Sequence, residues 1–340
     1  MPWRKDDSPD IRGLPEGALP HASKPRGGAA DAAAAPGPST LLRPRPLRPG
    51  SRVAVVAPSS PADPDRLWEG VRTLEGWGLD VHLFPSVHGS GEYLAAPDSQ
   101  RLSDLNAALA DPAFDAVIAG RGGYGFGRIA TRVRFPAGPR LPLLMGFSDV
   151  SLFLATAFKR AGWASLHGPN VTTLAALTPL ALESTRRWLF GRETRRWAGL
   201  ERIVSGEASG PLLPMNLSVL VSVLATRSAV PLENAILVLE DVGERPYRVD
   251  RMLTQLSQCR SFRQLAGLVL GDFDHALESR ELTRRVEDVA SGLGIPTVSG
   301  FPVGHGPEAR PVPVGVRARL DASRGVLTLG ERLFASSKNP

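Results

Sequence analysis

Residues 141–163, LPLLMGFSDVSLFLATAFKRAGW, constrain the fold more than any other stretch of the chain. An apolar run from Leu141 to Met145 stops at Gly146-Phe147-Ser148-Asp149. Leu152, Phe153, Ala155, Thr156, Phe158 and Lys159 then recur at helical spacing. The pattern predicts a strand, a sharp turn and a helix, with a serine at the corner. A serine held there stands above the sheet, and the backbone N–H groups behind it face whatever its oxygen attacks, which is the logic of a nucleophile elbow. The corner therefore predicts a serine hydrolase, and it requires a base, an acid and an oxyanion hole from elsewhere in the chain. It is not the lipase G-x-S-x-G, because Val150 stands where the last glycine would be.

The surrounding pattern sets the fold class. Val53–Ala57 is a continuous apolar run closed by Pro58-Ser59-Ser60-Pro61, residues 65–77 and 99–109 read as helices, and Asp80–Phe84 and Phe114–Ala119 read as strands. A glycine cluster, Arg121-Gly122-Gly123-Tyr124-Gly125, follows, with a helix expected over 128–133. Strand and helix alternate again after residue 210, with strands at 235–239, 268–270 and 296–298 and helices at 216–226, 247–258 and 278–293. Such alternation builds parallel βαβ units. The expectation is a two-domain α/β protein: an N-terminal doubly wound parallel sheet carrying the nucleophile elbow, and a smaller C-terminal α/β domain. The boundaries expected are a disordered Pro/Ala-rich tail over 1–48, the nucleophile domain over 49–190, a polar, glycine-bearing linker over 191–209, and the second domain over 210–330.

Bulk properties remove several classes. No apolar run approaches the roughly 18 residues of a membrane helix, and the N-terminus has no apolar secretory segment. The single cysteine, Cys259, excludes disulfide frameworks and cysteine metal clusters within one chain, suits a reducing, cytoplasmic compartment, and falls in a helical run where packing is its expected role. The net charge of +6 is not a nucleic-acid footprint: residues 1–50 hold eight Lys/Arg and five Asp/Glu, and no basic run is interleaved with aromatics. The glycine cluster does not fit G-x-G-x-x-G, so a dinucleotide site has little support; a nucleotide-dependent enzyme built on it would bind NAD or ATP. No metal, cofactor, nucleic-acid or membrane partner is expected.

A serine hydroxyl needs a base within hydrogen-bond reach and a carboxylate to orient that base. Of the histidines, His21 lies in the tail, His82 in a strand, and His88 and His275 in polar loops. His167, in SLHGPN, and His305, in FPVGHGPEARP, both sit in loops of the functional type, with His305 flanked by two glycines. For the acid, the strand Ile236–Leu239 ends in Glu240-Asp241-Val242-Gly243-Glu244, and open α/β sheets place their sites at the C-terminal ends of strands. The glycine turn can present N–H groups to an oxyanion. A carboxylate of the substrate could be held by Arg121 through a bidentate contact, or Arg121 could simply brace the turn.

Taken in order, VAVVAPSSP, DAVIAGRGGYGFGRI, GFSDVSLF, LHGPN, LVLEDVGERPYRVDRMLTQL, GLVLGDF and GHG resemble the LD-carboxypeptidase family of serine peptidases, which includes muramoyltetrapeptide carboxypeptidases and microcin-immunity peptidases. The resemblance runs from about residue 50 to about 325. It implies Ser148 as nucleophile, Glu240 as triad acid ahead of Asp241, and His305 as base, the serine on the first domain and the other two on the second. It implies an oxyanion hole from the N–H of Asp149 and one from the glycine turn, with Gly123 the chosen donor, and substrate contacts from Arg121, Gly122 and Asn216. It implies hydrolysis of the L-to-D bond of cell-wall tetrapeptides with release of D-alanine during peptidoglycan recycling, no cofactor, and a homodimer. The alternatives are the microcin-immunity branch, acting on peptidyl- or aminoacyl-nucleotide toxins, and a two-domain binding protein without catalysis. The chain departs from the family's usual G-G-N-L, carrying Pro214-Met215-Asn216-Leu217 instead.

Overall fold

The computed structural model describes residues 41–335 except 137, 139 and 275; the tail over 1–40 and His275 lie outside the described residues. The strands are β1 (Arg52–Val56), β2 (Asp80–Leu83), β3 (Ala116–Ala119), β4 (Leu143–Gly146), β5 (Ser165–His167), β6 (Arg196–Ala198), β7 (Glu201–Val204), β8 (Glu207–Asn216), β9 (Ile236–Glu240), β10 (Gly267–Leu270), β11 (Thr297–Ser299), β12 (Val312–Val314), β13 (Arg317–Asp321) and β14 (Val326–Leu329). The α-helices are α1 (Pro64–Gly76), α2 (Asp98–Ala110), α3 (Ser151–Ala161), α4 (Pro179–Leu189), α5 (Leu217–Ser222), α6 (Pro246–Gln258) and α7 (Arg280–Leu293).

Two sheets result. The first has the order β12-β5-β4-β3-β1-β2, parallel throughout except for β12, which runs antiparallel to β5. Its central strands read as unbroken apolar runs because both faces are covered: every residue of β3 and β4 is buried. The order 2-1-3-4-5 is a doubly wound one, and it gathers the loops after β1, β3 and β4 at one edge. Local chemistry starts and stops the helices. Asp63 caps α1 by accepting from Arg66 N–H at 3.0 Å, ahead of Pro64 in the first turn. Gly162, at φ +64°, ends α3.

The second sheet has the order β6-β14-β13-β8-β9-β10-β11-β7. Strands β8 to β11 are parallel, and the others join antiparallel. Three sequence expectations are corrected here. The segment 191–209 is not a linker: it supplies β6, β7 and the start of β8. Its polar look follows from sheet position: β6 and β7 are the two edges of the sheet, and they and the start of β8 bury only alternate residues or fewer. Residues 41–48 are not part of a disordered tail. Leu42 bridges to Trp163, donates to Gly162 O at 2.7 Å and accepts from Ala164 N–H at 2.8 Å, while Leu47 is buried and donates to Leu189 O at 2.8 Å. The helix expected over 128–133 is instead two short 3₁₀ turns, 126–128 and 130–132.

The chain also does not stay in the second sheet. After β11 it crosses back to the first, where β12 pairs with β5. That crossover carries His305.

Candidate active site

Ser148 occupies the corner between β4 and α3 with φ +64°, a left-handed conformation that a non-glycine residue adopts only when its surroundings enforce it. Residues 141–150 are otherwise buried; Ser148 alone is half-buried. The neighbouring Asp149 shows what enforces the bend. Its buried carboxylate Oδ2 accepts from Ser59 Oγ at 2.6 Å and from the N–H of Phe126 at 2.8 Å. One side chain thus ties the loop after β1 and the glycine turn after β3 to the serine corner. Burial pushes the Asp149 carboxyl upward, against the pull of these hydrogen bonds.

The glycine turn meets the serine at close range. A Cβ on Gly122 would lie 2.8 Å from Ser148 Cβ and 3.0 Å from its Oγ, so only glycine fits there. Gly123 has φ +96°, and a Cβ on it would lie 2.3 Å from Ser60 Oγ. Ser60 braces this turn: its N–H donates to Gly122 O at 3.1 Å, and its Oγ accepts from Tyr124 N–H at 3.0 Å. The buried Arg101 of α2 adds a clamp by donating to Pro58 O and, at 3.1 Å, to Gly125 O. Ser59, Ser60, Arg101 and the side chain of Asp149 are positioning residues that sequence reasoning missed. The signal available was two hydroxyls in Pro58-Ser59-Ser60-Pro61, at the end of a buried strand.

Glu240 ends β9 and is fully buried, and its Oε2 lies 2.7 Å from His305 Nδ1. Its Oε1 has no partner among the described residues. Burial pushes the Glu240 carboxyl up, further than His305 pulls it down. Burial also works against charging His305, but the hydrogen bond and negative charge of Glu240 outweigh it and hold the imidazole above its ordinary value. Period 2 separates Glu240 from its neighbour. The carboxylate of Asp241 accepts from Asn216 Nδ2 at 3.1 Å, Ser218 N–H at 2.8 Å and Val242 N–H at 2.9 Å, so it is spent at the start of α5. His167, the other candidate base, is buried in β5 with its Nε2 unpartnered, and burial lowers it to about 3, so it stays neutral.

Ser148 and His305 line one cavity of about 660 Å³, together with Arg121, Gly122, Gly123, Asn216 and Asp241. The Phe147 ring packs on the imidazole at a centroid distance of 4.6 Å. The glycines beside His305 have a purpose other than leaving the ring uncrowded: a Cβ on Gly304 would lie 2.6 Å from Asp272 Cβ, and one on Gly306 would lie 2.8 Å from Asp272 Oδ2. Two expected substrate contacts are engaged internally. Arg121 Nη1 donates to Pro61 O at 2.7 Å, and Asn216 caps α5, its Oδ1 accepting from Val219 N–H at 3.1 Å. Among the described residues, no group of three or more His, Cys, Asp and Glu is placed to hold a metal ion.

A serine on a strained corner, sharing a cavity with a carboxylate-held histidine on an α/β scaffold, has the equipment of a serine hydrolase. Comparison with known proteins narrows the class. Residues 53–168 match the LD-carboxypeptidase N-terminal domain and residues 209–320 match the C-terminal domain. A Streptomyces coelicolor protein that carries the carboxypeptidase name provisionally is 41% identical over 307 residues, covering 87% of this chain and 98% of its own length. The murein tetrapeptide carboxypeptidase of Pseudomonas aeruginosa is 35% identical over 291 residues, covering 80% and 94% respectively. Among solved structures, the muramoyltetrapeptide carboxypeptidase of Oxalobacter formigenes superposes with a TM-score of 0.71 at 28% identity over 83% of this chain and 99% of that one. The microcin C7 self-immunity protein MccF gives a TM-score of 0.77 at 19% identity over 86% and 100%, a likeness of fold. The chain belongs to the LD-carboxypeptidase family and is a serine-type carboxypeptidase.

Proposed function

We propose that this enzyme hydrolyses the L-to-D peptide bond of cell-wall tetrapeptides and releases terminal D-alanine, as a step of peptidoglycan recycling. The observation that carries the reading is the Glu240–His305 hydrogen bond of 2.7 Å at the rim of the cavity that Ser148 enters. His305 takes the proton of Ser148 Oγ, its tautomer fixed by Glu240. Ser148 attacks the carbonyl of the L-residue, His305 returns the proton to the leaving amine, and water then hydrolyses the acyl-enzyme.

The oxyanion is met by the N–H of Asp149 and that of Gly123. Peptide planarity supports Gly123. The carbonyl of Gly122 accepts from Ser60 N–H, and no peptide in the described chain is cis, so the N–H of Gly123 points the opposite way. No step passes through a cofactor. Arg121, Gly122 and Asn216 act on substrate chiefly by shaping the cavity wall. Family likeness supports a cytoplasmic location and a homodimer, and light scattering on the purified chain reads the second directly. No helix among the described residues is long and apolar enough to cross a membrane.

The test is incubation with a tetrapeptide ending in D-alanine. Free D-alanine from the wild type, with none from Ser148→Ala although that variant still binds the peptide, supports the reading. Binding without release by the wild type would leave a non-catalytic binding protein, and turnover of an aminoacyl sulfamoyl nucleotide in place of the peptide would move the enzyme to the immunity branch.

A further inference from the structure

A second and smaller cavity of about 200 Å³ shares His305 and Phe147 with the first but is not lined by Ser148. It is the more apolar of the two, walled by Phe147, Ala176 and Leu177, and too small for a peptide segment. Its charge is one-sided. Arg66 and Arg310 line it with His167 and His305, whereas no carboxylate among the described residues does. The neighbouring cavity that holds Ser148 is lined by Asp63, Asp241 and Glu244.

The polar groups here lack partners. Arg310 is half-buried, its Nε is fully buried without an acceptor, and its guanidinium makes no ion pair among the described residues. The side chain of Arg66 likewise has no hydrogen-bond partner among them, and it borders both cavities. His167 is 2% exposed, and its buried Nε2 is also unpartnered. A buried donor without an acceptor is costly unless a ligand satisfies it. Two buried unpartnered atoms, Arg310 Nε and His167 Nε2, beside the exposed guanidinium of Arg66 around one apolar cavity, describe a receptor for a small molecule bearing an anion.

Position says which molecule. In acyl transfer by a serine peptidase the histidine hands its proton to the leaving amine, so the leaving group lies on the histidine's side of the scissile bond. We infer that this cavity is the leaving-residue subsite: Arg310 and Arg66 hold the terminal α-carboxylate of the departing amino acid, and Phe147, Ala176 and Leu177 receive its small side chain. The inference rests on the carboxypeptidase reading above and adds to it the reason the enzyme takes a terminal residue. A chain extended past that residue would put an uncharged amide where two guanidinium groups await a carboxylate. It also moves the role of carboxylate anchor away from Arg121, whose guanidinium is engaged with Pro61.

The experiment uses the full chain and two peptides, a tetrapeptide ending in D-alanine and the same peptide ending in D-alaninamide. A hydrogen bond to a charged group contributes about 1.5–3 kcal/mol, or roughly 10- to 150-fold in kcat/KM. The wild type is expected to favour the acid by at least tenfold, and Arg310→Met and Arg66→Met each to shrink that preference by slowing the acid far more than the amide. Arg310→Lys should recover part of it. A wild type that cleaves both peptides alike, or variants that slow both by one factor, would overturn the inference. Should Arg310→Met not fold, the exposed Arg66→Met and the conservative Arg310→Lys carry the same ratio, and an unchanged preference in both has the same consequence. If the wild type releases D-alanine from neither peptide, the carboxypeptidase reading itself fails and takes the inference with it.

Discussion

Gly122→Ala tests the claim that the glycine turn is shaped to the serine. The backbone of Gly122 is in an ordinary region, so the substitution adds a methyl group without φ strain. That methyl would sit 2.8 Å from Ser148 Cβ, 3.0 Å from Oγ and 3.1 Å from Phe147 O. Carbon atoms settle at roughly 3.5–4.0 Å, so the serine or the turn must give by about 0.7 Å. The serine corner has little freedom to do so, because Asp149 pins it to Ser59 and Phe126. A misplacement of about 1 Å at reacting groups costs on the order of 100-fold, and we expect kcat for D-alanine release to fall roughly 30- to 100-fold. The assay is a continuous coupled measurement of D-alanine, with kcat and KM separated. Gly76→Ala is the control: it ends α1, nothing lies within 4 Å of the added Cβ, and its activity should match wild type with stability raised by about 0.4–1 kcal/mol. A Gly122→Ala enzyme with wild-type kcat would refute the idea that this turn is fitted to Ser148.

Three further outcomes follow from the same geometry. Ser148→Gly should abolish D-alanine release yet raise the unfolding free energy by about 1 kcal/mol, because φ +64° is strained for serine and free for glycine; denaturant unfolding that finds a loss of stability contradicts the strain. Asp149→Ala strips the acceptor from Ser59 Oγ and Phe126 N–H and should cost roughly 2–4 kcal/mol, whereas Asp149→Asn keeps an acceptor and should recover part of it, read by chemical denaturation. The pH profile carries a sign: His305 must be neutral to act as base, and Glu240 holds it above 6.5, so the acid limb of kcat/KM should lie above that value. Glu240→Gln should move the limb to lower pH as well as slowing turnover. Because the folded imidazole binds its proton more tightly than the unfolded one, its stabilising contribution is full below the ordinary imidazole value and is lost as pH rises through the raised one. A difference in stability between wild type and His305→Gln that does not shrink across that window argues against the pair.

The sequence by itself determined strands β1 to β4 of the first sheet, the corner at Ser148 and the carboxylates at the end of β9, but not β5 or β12. Each is a local signal: a buried parallel strand must be an unbroken apolar run, and a chain that turns from strand to helix within four residues must place its corner residue in the open. Local pattern alone did not separate the two carboxylates or the two histidines; the resemblance was what favoured Glu240 and His305. Local pattern favours His305 over His167 only slightly and the resemblance chose it; the fold separates them by burying His167 in β5 and leading the other out of the second sheet on the crossover from β11 to β12. Glu240 and Asp241 are neighbours, and only the pleat of β9 and the start of α5 send one to the imidazole and the other to Asn216.

The misread segments share a cause. Residues 191–209 are strands whose pairing partners lie far along the chain, and residues 41–48 are ordered by Gly162 and Leu189, so composition and period carried no trace of either. Periodicity reports how a segment faces its own neighbours. Pairing across the chain and the closing of a cavity between two sheets depend on residues distant in sequence, and these the tertiary structure alone decided.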